Sequence, residues 1–182
     1  SPPPPTDVAV ANFSDVTGKV PYPFDFFFLG STDGTLNIPG QLAALHAFAS
    51  SVNALDGWST NAAIDTSFTL PIDPASISGS SVKIIKLWVD PTTKAPATNP
   101  NYLPVGAASP VAGVLTYGTD FTADVSPDVD SGGRFLRIIP MKPLDASKGP
   151  AANNGSANAG KVLNVGYLVV LTNELKATDG QT

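Results

Sequence analysis

The chain is predicted to be all-β. Charged residues make up only 14% of its 182 residues, well below the ~25% usual in globular domains, while 18 Pro and 16 Gly exceed ordinary use. Short β-branched or alternating runs recur along most of the length, each bounded by turn signals. Only one segment, residues 41–53, spaces its apolar residues as a helix does. With 42% hydrophobic residues, the chain has enough apolar content for a packed core, so wholesale disorder is not expected.

Residues 1–20 read as a Pro-rich tether and lead-in, and residues 21–182 as one domain. The opening Ser1-Pro2-Pro3-Pro4-Pro5-Thr6 is a stiff polyproline segment. It lacks an initiator Met and fits a processed or trimmed protein whose targeting segment has been removed. Residues 24–29, rich in Phe, are expected to form a strand buried on both faces or covered by a neighbouring element. Asp33-Gly34 supplies the positive-φ chemistry of a tight hairpin, with residues 35–38 as the partner strand.

The helix follows over residues 41–53, where Leu42, Leu45, Ala49 and Val52 make one stripe, stopped by the turn at Asp56-Gly57. Ile64, Thr66, Phe68 and Leu70 alternate with polar residues as in a strand with one buried face. Residues 82–89 (Val-Lys-Ile-Ile-Lys-Leu-Trp-Val) form a second strong strand. Residues 90–113 hold five prolines and read as a long insertion between strands. A hairpin of residues 114–117 and 121–125 is expected around Gly118-Thr119-Asp120, then strands over 135–140 and 162–172. Seven or more short strands with turns between them favour an immunoglobulin-like β-sandwich with one short helix and long Pro/Gly-rich loops.

Composition excludes several functions. Net charge is −5, and the ten basic residues are scattered, with Lys83, Lys86 and Lys94 the densest group. No basic run can neutralise phosphates, which argues against a nucleic-acid partner. No apolar stretch reaches the ~20 residues of a helical membrane span. The absence of cysteine removes disulfides, thiolate metal sites and cysteine nucleophiles together.

Several segments resemble the N-terminal domain of bacterial extracellular lipases, the virulence-factor lipase type. They are Asp33-Gly34-Thr35-Leu36-Asn37-Ile38-Pro39, Ala54-Leu55-Asp56-Gly57-Trp58-Ser59-Thr60 and Leu70-Pro71-Ile72-Asp73-Pro74-Ala75-Ser76, with Val82 after them. Further on come Leu136-Arg137-Ile138-Ile139-Pro140-Met141-Lys142-Pro143-Leu144 and Tyr167-Leu168-Val169-Val170-Leu171-Thr172-Asn173-Glu174-Leu175-Lys176. The resemblance runs from about residue 24 to 180, and its most specific part is Leu-Asp-Gly-Trp-Ser-Thr. It implies an immunoglobulin-like module without catalytic residues, located outside the cell or on its surface. In proteins of this kind an α/β-hydrolase domain follows, here expected beyond residue 182 as the partner of this one. The implied role is to brace or orient that lipase or esterase domain, with lipid or the cell surface as a further partner.

The residues by themselves agree that no catalytic set is present. A lipase nucleophile sits on a strand–turn–helix elbow of the form Gly-x-Ser-x-Gly, and the nearest string, Gly30-Ser31-Thr32-Asp33-Gly34, reads instead as a hairpin turn. His46 is the sole imidazole and lies beside the apolar stripe of the expected helix, as a packing residue does. Asp65 and Asp73 read as strand-face and turn residues rather than a glycosidase dyad. Asp124, Asp128 and Asp130, before Ser131-Gly132, offer oxygen ligands for calcium, but the full loop spacing and its closing Glu are missing. They read as solvated turn acids, and no cofactor is expected. Trp58, Trp88 and Phe27 remain as candidates for ligand or interdomain contact. Two tryptophans on such a sandwich also suit a different class, a free-standing cell-surface binding or adhesion module.

Overall fold

The computed structural model describes residues 10–12, 21–23, 25–33, 35–37, 53–126, 132–147 and 157–178. Among them are six strands: β1 (Ile64–Ser67), β2 (Val82–Val89), β3 (Val111–Val114), β4 (Phe121–Val125), β5 (Phe135–Pro140) and β6 (Asn164–Leu171). Three 3₁₀ turns, Asp25–Phe28, Pro74–Ser76 and Pro100–Tyr102, are the only helical elements among the described residues. The strands form two antiparallel sheets, ordered β1-β5-β4 and β3-β2-β6. The all-β expectation therefore holds. The predicted helix lies outside the described residues except for Asn53, which is in a turn.

One hydrophobic core draws on both sheets. Val82 and Ile84 of β2, Phe121 and Ala123 of β4, and Leu136 and Ile138 of β5 are its buried members, with Phe68, Ile72 and Leu175 beside them. Tyr167, Val169 and Leu171 of β6 pack against it. The period-2 alternation of each strand produces this: Leu136 and Ile138 point inward, whereas Arg137 between them faces out. There Arg137 grips Asp65, its cross-strand neighbour on β1, through Nε (2.8 Å) and Nη2 (2.9 Å).

Two segments quoted for the lipase resemblance meet at the end of the core. Ile72 bridges Ala177, Asp73 N–H donates to the Lys176 carbonyl, and Thr178 N–H donates to that of Pro71. Asp73 also caps the following 3₁₀ turn by accepting from Ala75 N–H at 3.0 Å. Both Asp65 and Asp73 thus have structural partners.

The strand expected over 24–29 is instead the 3₁₀ turn Asp25–Phe28. Consecutive bulky rings cannot all sit on one face of a strand, and a 3₁₀ turn buries Phe28 while Phe27 stays half-buried. Nor do the described residues 30–33 and 35–37 form the expected hairpin, Gly34 and Ile38 lying outside the described residues. Asp33 Oδ1 gathers Thr35 N–H (3.0 Å), Thr35 Oγ1 (2.7 Å) and Ser31 Oγ (3.1 Å) into a local turn. Residues 35–37 are not strand either.

The expected hairpin at 114–125 is a crossover. β3 pairs with β2, β4 pairs with β5, and Gly118 (φ 78°) carries the chain from one sheet to the other. Asp120 Oδ2 accepts from Thr116 N–H at 2.7 Å and holds this turn. The proline-rich segment after β2 ends sooner than expected, because β3 begins at Val111. It returns to β2, where Pro96 bridges Val89 and Ala97 N–H donates to the Trp88 carbonyl.

Gly166 of β6 leaves room for Val89 of β2. A Cβ built on it meets Val89 Cγ1 at 2.8 Å, and Val89 is itself buried. Gly166→Ala is expected to lower unfolding free energy by about 1–3 kcal/mol through overpacking. A denaturation midpoint equal to that of the parent chain would refute the close approach.

Candidate functional site

Trp58 is the centre of an aromatic cluster built from segments far apart in sequence. Its ring meets Tyr22 (centroids 5.3 Å), Phe28 (5.9 Å) and Phe27 (6.3 Å), all edge-to-face, the arrangement that ring quadrupoles favour. Its indole N–H donates to Asp25 Oδ1 at 2.9 Å. Backbone bonds tie the strands of chain together: Leu36 N–H to the Leu55 carbonyl, and Asn37 N–H to that of Phe27. Leu36 is buried beneath them. The sequence reading named Trp58 and Phe27, and the structure brings those two together.

Two further contacts fasten the cluster to the sheets. Tyr22 exchanges both backbone hydrogen bonds with Asp65 of β1 (2.9 and 2.7 Å). Lys94, after β2, places its ammonium 5.0 Å from the centre of the Phe28 ring and donates to the carbonyls of Asp56 and Pro91. Lys94 has φ 58°, a left-handed conformation unfavourable for residues with a Cβ. Asp90 sets up that turn by accepting from the N–H groups of Thr92 (2.8 Å) and Thr93 (2.9 Å). Those N–H groups, that of Thr93 foremost, hold the Asp90 carboxyl below its ordinary pKa. Sequence reasoning missed Lys94; only the Asp-Pro-Thr-Thr spacing, an acid that caps a turn, hinted at local order.

The cluster is held from within and apolar at its rim. Tyr22 is 54% exposed, Leu29 67% and Leu55 49%. Exposed large apolar side chains of this kind suit contact with another apolar surface.

Trp88 lies elsewhere, on β2 on the same side as Val82 and Ile84, half-buried, with Lys86 Nζ 5.7 Å from its ring centre. Asp124 is exposed on β4 and accepts from its neighbour Val125 N–H, while Asp128, Asp130 and His46 lie outside the described residues. No cluster of three or more metal-ligating side chains occurs among the described residues, and none of their helices is long and apolar enough to cross a membrane. Thr32 is exposed, and the turn around it follows a 3₁₀ segment rather than a strand. The elbow geometry of a serine-type nucleophile is therefore not built there.

A concavity of about 280 Å³ is lined by Lys86, Asp120, Lys142, Asp145 and Tyr167 among others. Its charges are matched in pairs: Lys86 with Asp145, and Lys142 with Asp120 at 2.6 Å. The Tyr167 hydroxyl accepts from Asp145 N–H at 2.8 Å, and burial raises its pKa. The Lys142 ammonium, helped by Thr116 N–H, holds the Asp120 carboxyl below its ordinary value of 3.8. Such a group stabilises the fold fully above its unfolded pKa and loses that contribution as pH falls through the folded one. Stability is thus expected to drop below about pH 4, and Asp120→Asn should flatten that slope. Parallel acid titrations of the two chains, read as urea midpoints at each pH, decide the point: equal slopes would remove Asp120 from the acid response.

No family model matches this chain, and neither a curated protein nor a solved structure matches it.

Proposed function

We propose that this chain is a non-catalytic, immunoglobulin-like accessory domain of an exported bacterial lipase or esterase, bracing or orienting a hydrolase domain of the same polypeptide. The observation that carries the reading is the Trp58 cluster. It lies in the segment most specific to the lipase resemblance, and its rim of Tyr22, Leu29 and Leu55 is exposed and apolar. A rigid aromatic base with an apolar fringe suits contact with a neighbouring domain. The strand orders support the fold part of the reading. Immunoglobulin-like sandwiches place B, E and D side by side in one sheet and C′, C and F in the other; β1-β5-β4 and β3-β2-β6 follow those orders.

The test is the native polypeptide detected with an antiserum against this chain in secreted and envelope fractions. The expected result is a band several times heavier than 18.6 kDa that carries ester-hydrolase activity. A band near 18.6 kDa, without such activity, overturns the proposal. Saturable binding of that smaller protein to a glycan, lost on Trp58→Ala or Trp88→Ala, would then establish the adhesion reading.

A further inference from the structure

We propose that residues 141–147, which follow β5, are a strap fastened across the two sheets by two ion pairs of opposite direction. The strap opens as a unit while both sheets stay folded, and its opening uncovers the Lys86 ammonium and the Tyr167 hydroxyl. The segment reads Met-Lys-Pro-Leu-Asp-Ala-Ser and is neither strand nor helix. Each of its residues is exposed except Leu144, which is half-buried. Apolar burial therefore does little to hold it. β5, from which it emerges, differs in this respect, since Leu136 and Ile138 are fully buried there.

The contacts of the strap are polar, and they fall on both sheets. Beside β4, Met141 N–H donates to the Asp120 carbonyl at 2.9 Å, and Lys142 Nζ pairs with Asp120 Oδ1 at 2.6 Å. On the other sheet the Asp145 carboxylate pairs with Lys86 of β2, and Asp145 N–H donates to the Tyr167 hydroxyl of β6 at 2.8 Å. Ser147 Oγ accepts from Val165 N–H of β6 at 3.1 Å. Between the two ends, Leu144 N–H donates to the Thr60 carbonyl at 2.9 Å. The strap thus presents a cation to an acid beside one sheet and an anion to a lysine of the other.

The four charges differ in exposure. Lys86 and Asp120 are each 20% exposed, whereas their strap partners Asp145 and Lys142 are 69% and 62% exposed. The inner two are held by their surroundings. Lys86 lies on β2 on the same side as Val82 and Ile84, its ammonium 5.7 Å from the Trp88 ring centre. Asp120 Oδ2 accepts from Thr116 N–H at 2.7 Å. The outer two stand at the surface, where ion pairs are weak. Opening carries them into water and lets water reach Lys86 and Asp120 through the concavity that all four line with Tyr167. No charge is then left buried without a partner, so the heavy penalty of splitting a buried ion pair does not apply. A segment with little buried apolar surface and solvent-accessible hydrogen bonds belongs to the part of a fold that opens locally.

Native-state amide exchange of the whole chain reads the opening directly. Protection at Leu144 and Asp145 is expected to be at least ~100-fold lower than at Leu136 and Ile138 of the central strand β5, and nearly independent of urea below the unfolding transition. Equal protection and equal urea dependence in the two groups would mean that the strap opens only when the sheets unfold, and would overturn the proposal. In the double variant Lys142→Met/Asp145→Asn, protection at Leu144 is expected to fall by a further ~5-fold, as two surface pairs of ordinary strength allow. Unchanged protection would show that the ion pairs do not fasten the strap. Lys142→Met alone tests whether the strap moves as a unit, because it leaves Asp145 and Lys86 in place. Acylation of Lys86 by a water-soluble ester reagent, mapped by mass spectrometry against exposed Lys83 of β2, is expected to quicken about 2–3-fold in that variant. An unchanged Lys86 rate would mean that the two ends let go separately, and would overturn the unit.

Discussion

Phe121→Ala is expected to lower the unfolding free energy by about 4 kcal/mol, within the 3–5 kcal/mol typical of Phe removed from a core. Phe121 is the largest fully buried side chain among the described residues, 0% exposed at the start of β4, and its ring meets Tyr117 edge-to-face at 5.5 Å. Neither its neighbours on β4 and β5 nor the Gly118 turn can readily fill the space it vacates, because both sheets contribute to that core. Against a total stability of roughly 5–15 kcal/mol, the variant approaches unfolding at ordinary temperature. Urea titration should show a lower midpoint with an unchanged slope. Val114→Ala, at a 63% exposed position on β3, should stay within about 0.5 kcal/mol. If the two variants lost similar stability, the core assignment would be wrong.

Trp58→Ala is expected to cost about 3 kcal/mol, since the change removes one large ring from contact with three others. Trp58→Phe keeps a ring among those partners but loses the indole bond to Asp25, a change of about 1 kcal/mol. The ordering of the two variants is the informative result. A structural cluster requires Ala to be clearly worse than Phe. If both variants matched the parent chain, the rings would merely sit side by side. Because the cluster joins residues 22, 27, 28, 36 and 58 to β1 and Lys94, its loss should also expose Tyr22 N–H to faster amide exchange.

The strands that could be read from sequence were those whose register is set by burial on one face. Val82–Val89 and Phe135–Pro140 have the bounds that their apolar patterns indicate, because inward and outward positions must keep a period of two. The Phe-rich segment was misread for the converse reason. It has no alternation, and a run of apolar residues alone does not distinguish a strand from a turn folded under its neighbours. The hairpin at 114–125 was misread because turn chemistry indicates where a chain reverses but not which strand it then joins. Gly118 and Asp120 make the turn in either topology, and the choice between sheets belongs to the core partners of Val111–Val114 and Phe121–Val125.

The candidate site divides in the same way. Trp58 was visible as an aromatic after a Gly turn, and Phe27 as one ring too many for a single face. Asp25, which lies 33 residues from Trp58, and Lys94, which lies 38 residues from Asp56, were not visible as its partners. Local composition determined that this chain is β-rich, that its charge is sparse, and where its turns begin, since these depend on neighbouring residues and on backbone sterics. Tertiary structure alone decided which strands pair and which rings meet Trp58. Those outcomes depend on contacts between residues distant in sequence, whose loop-closure cost and burial are settled only when the whole core forms.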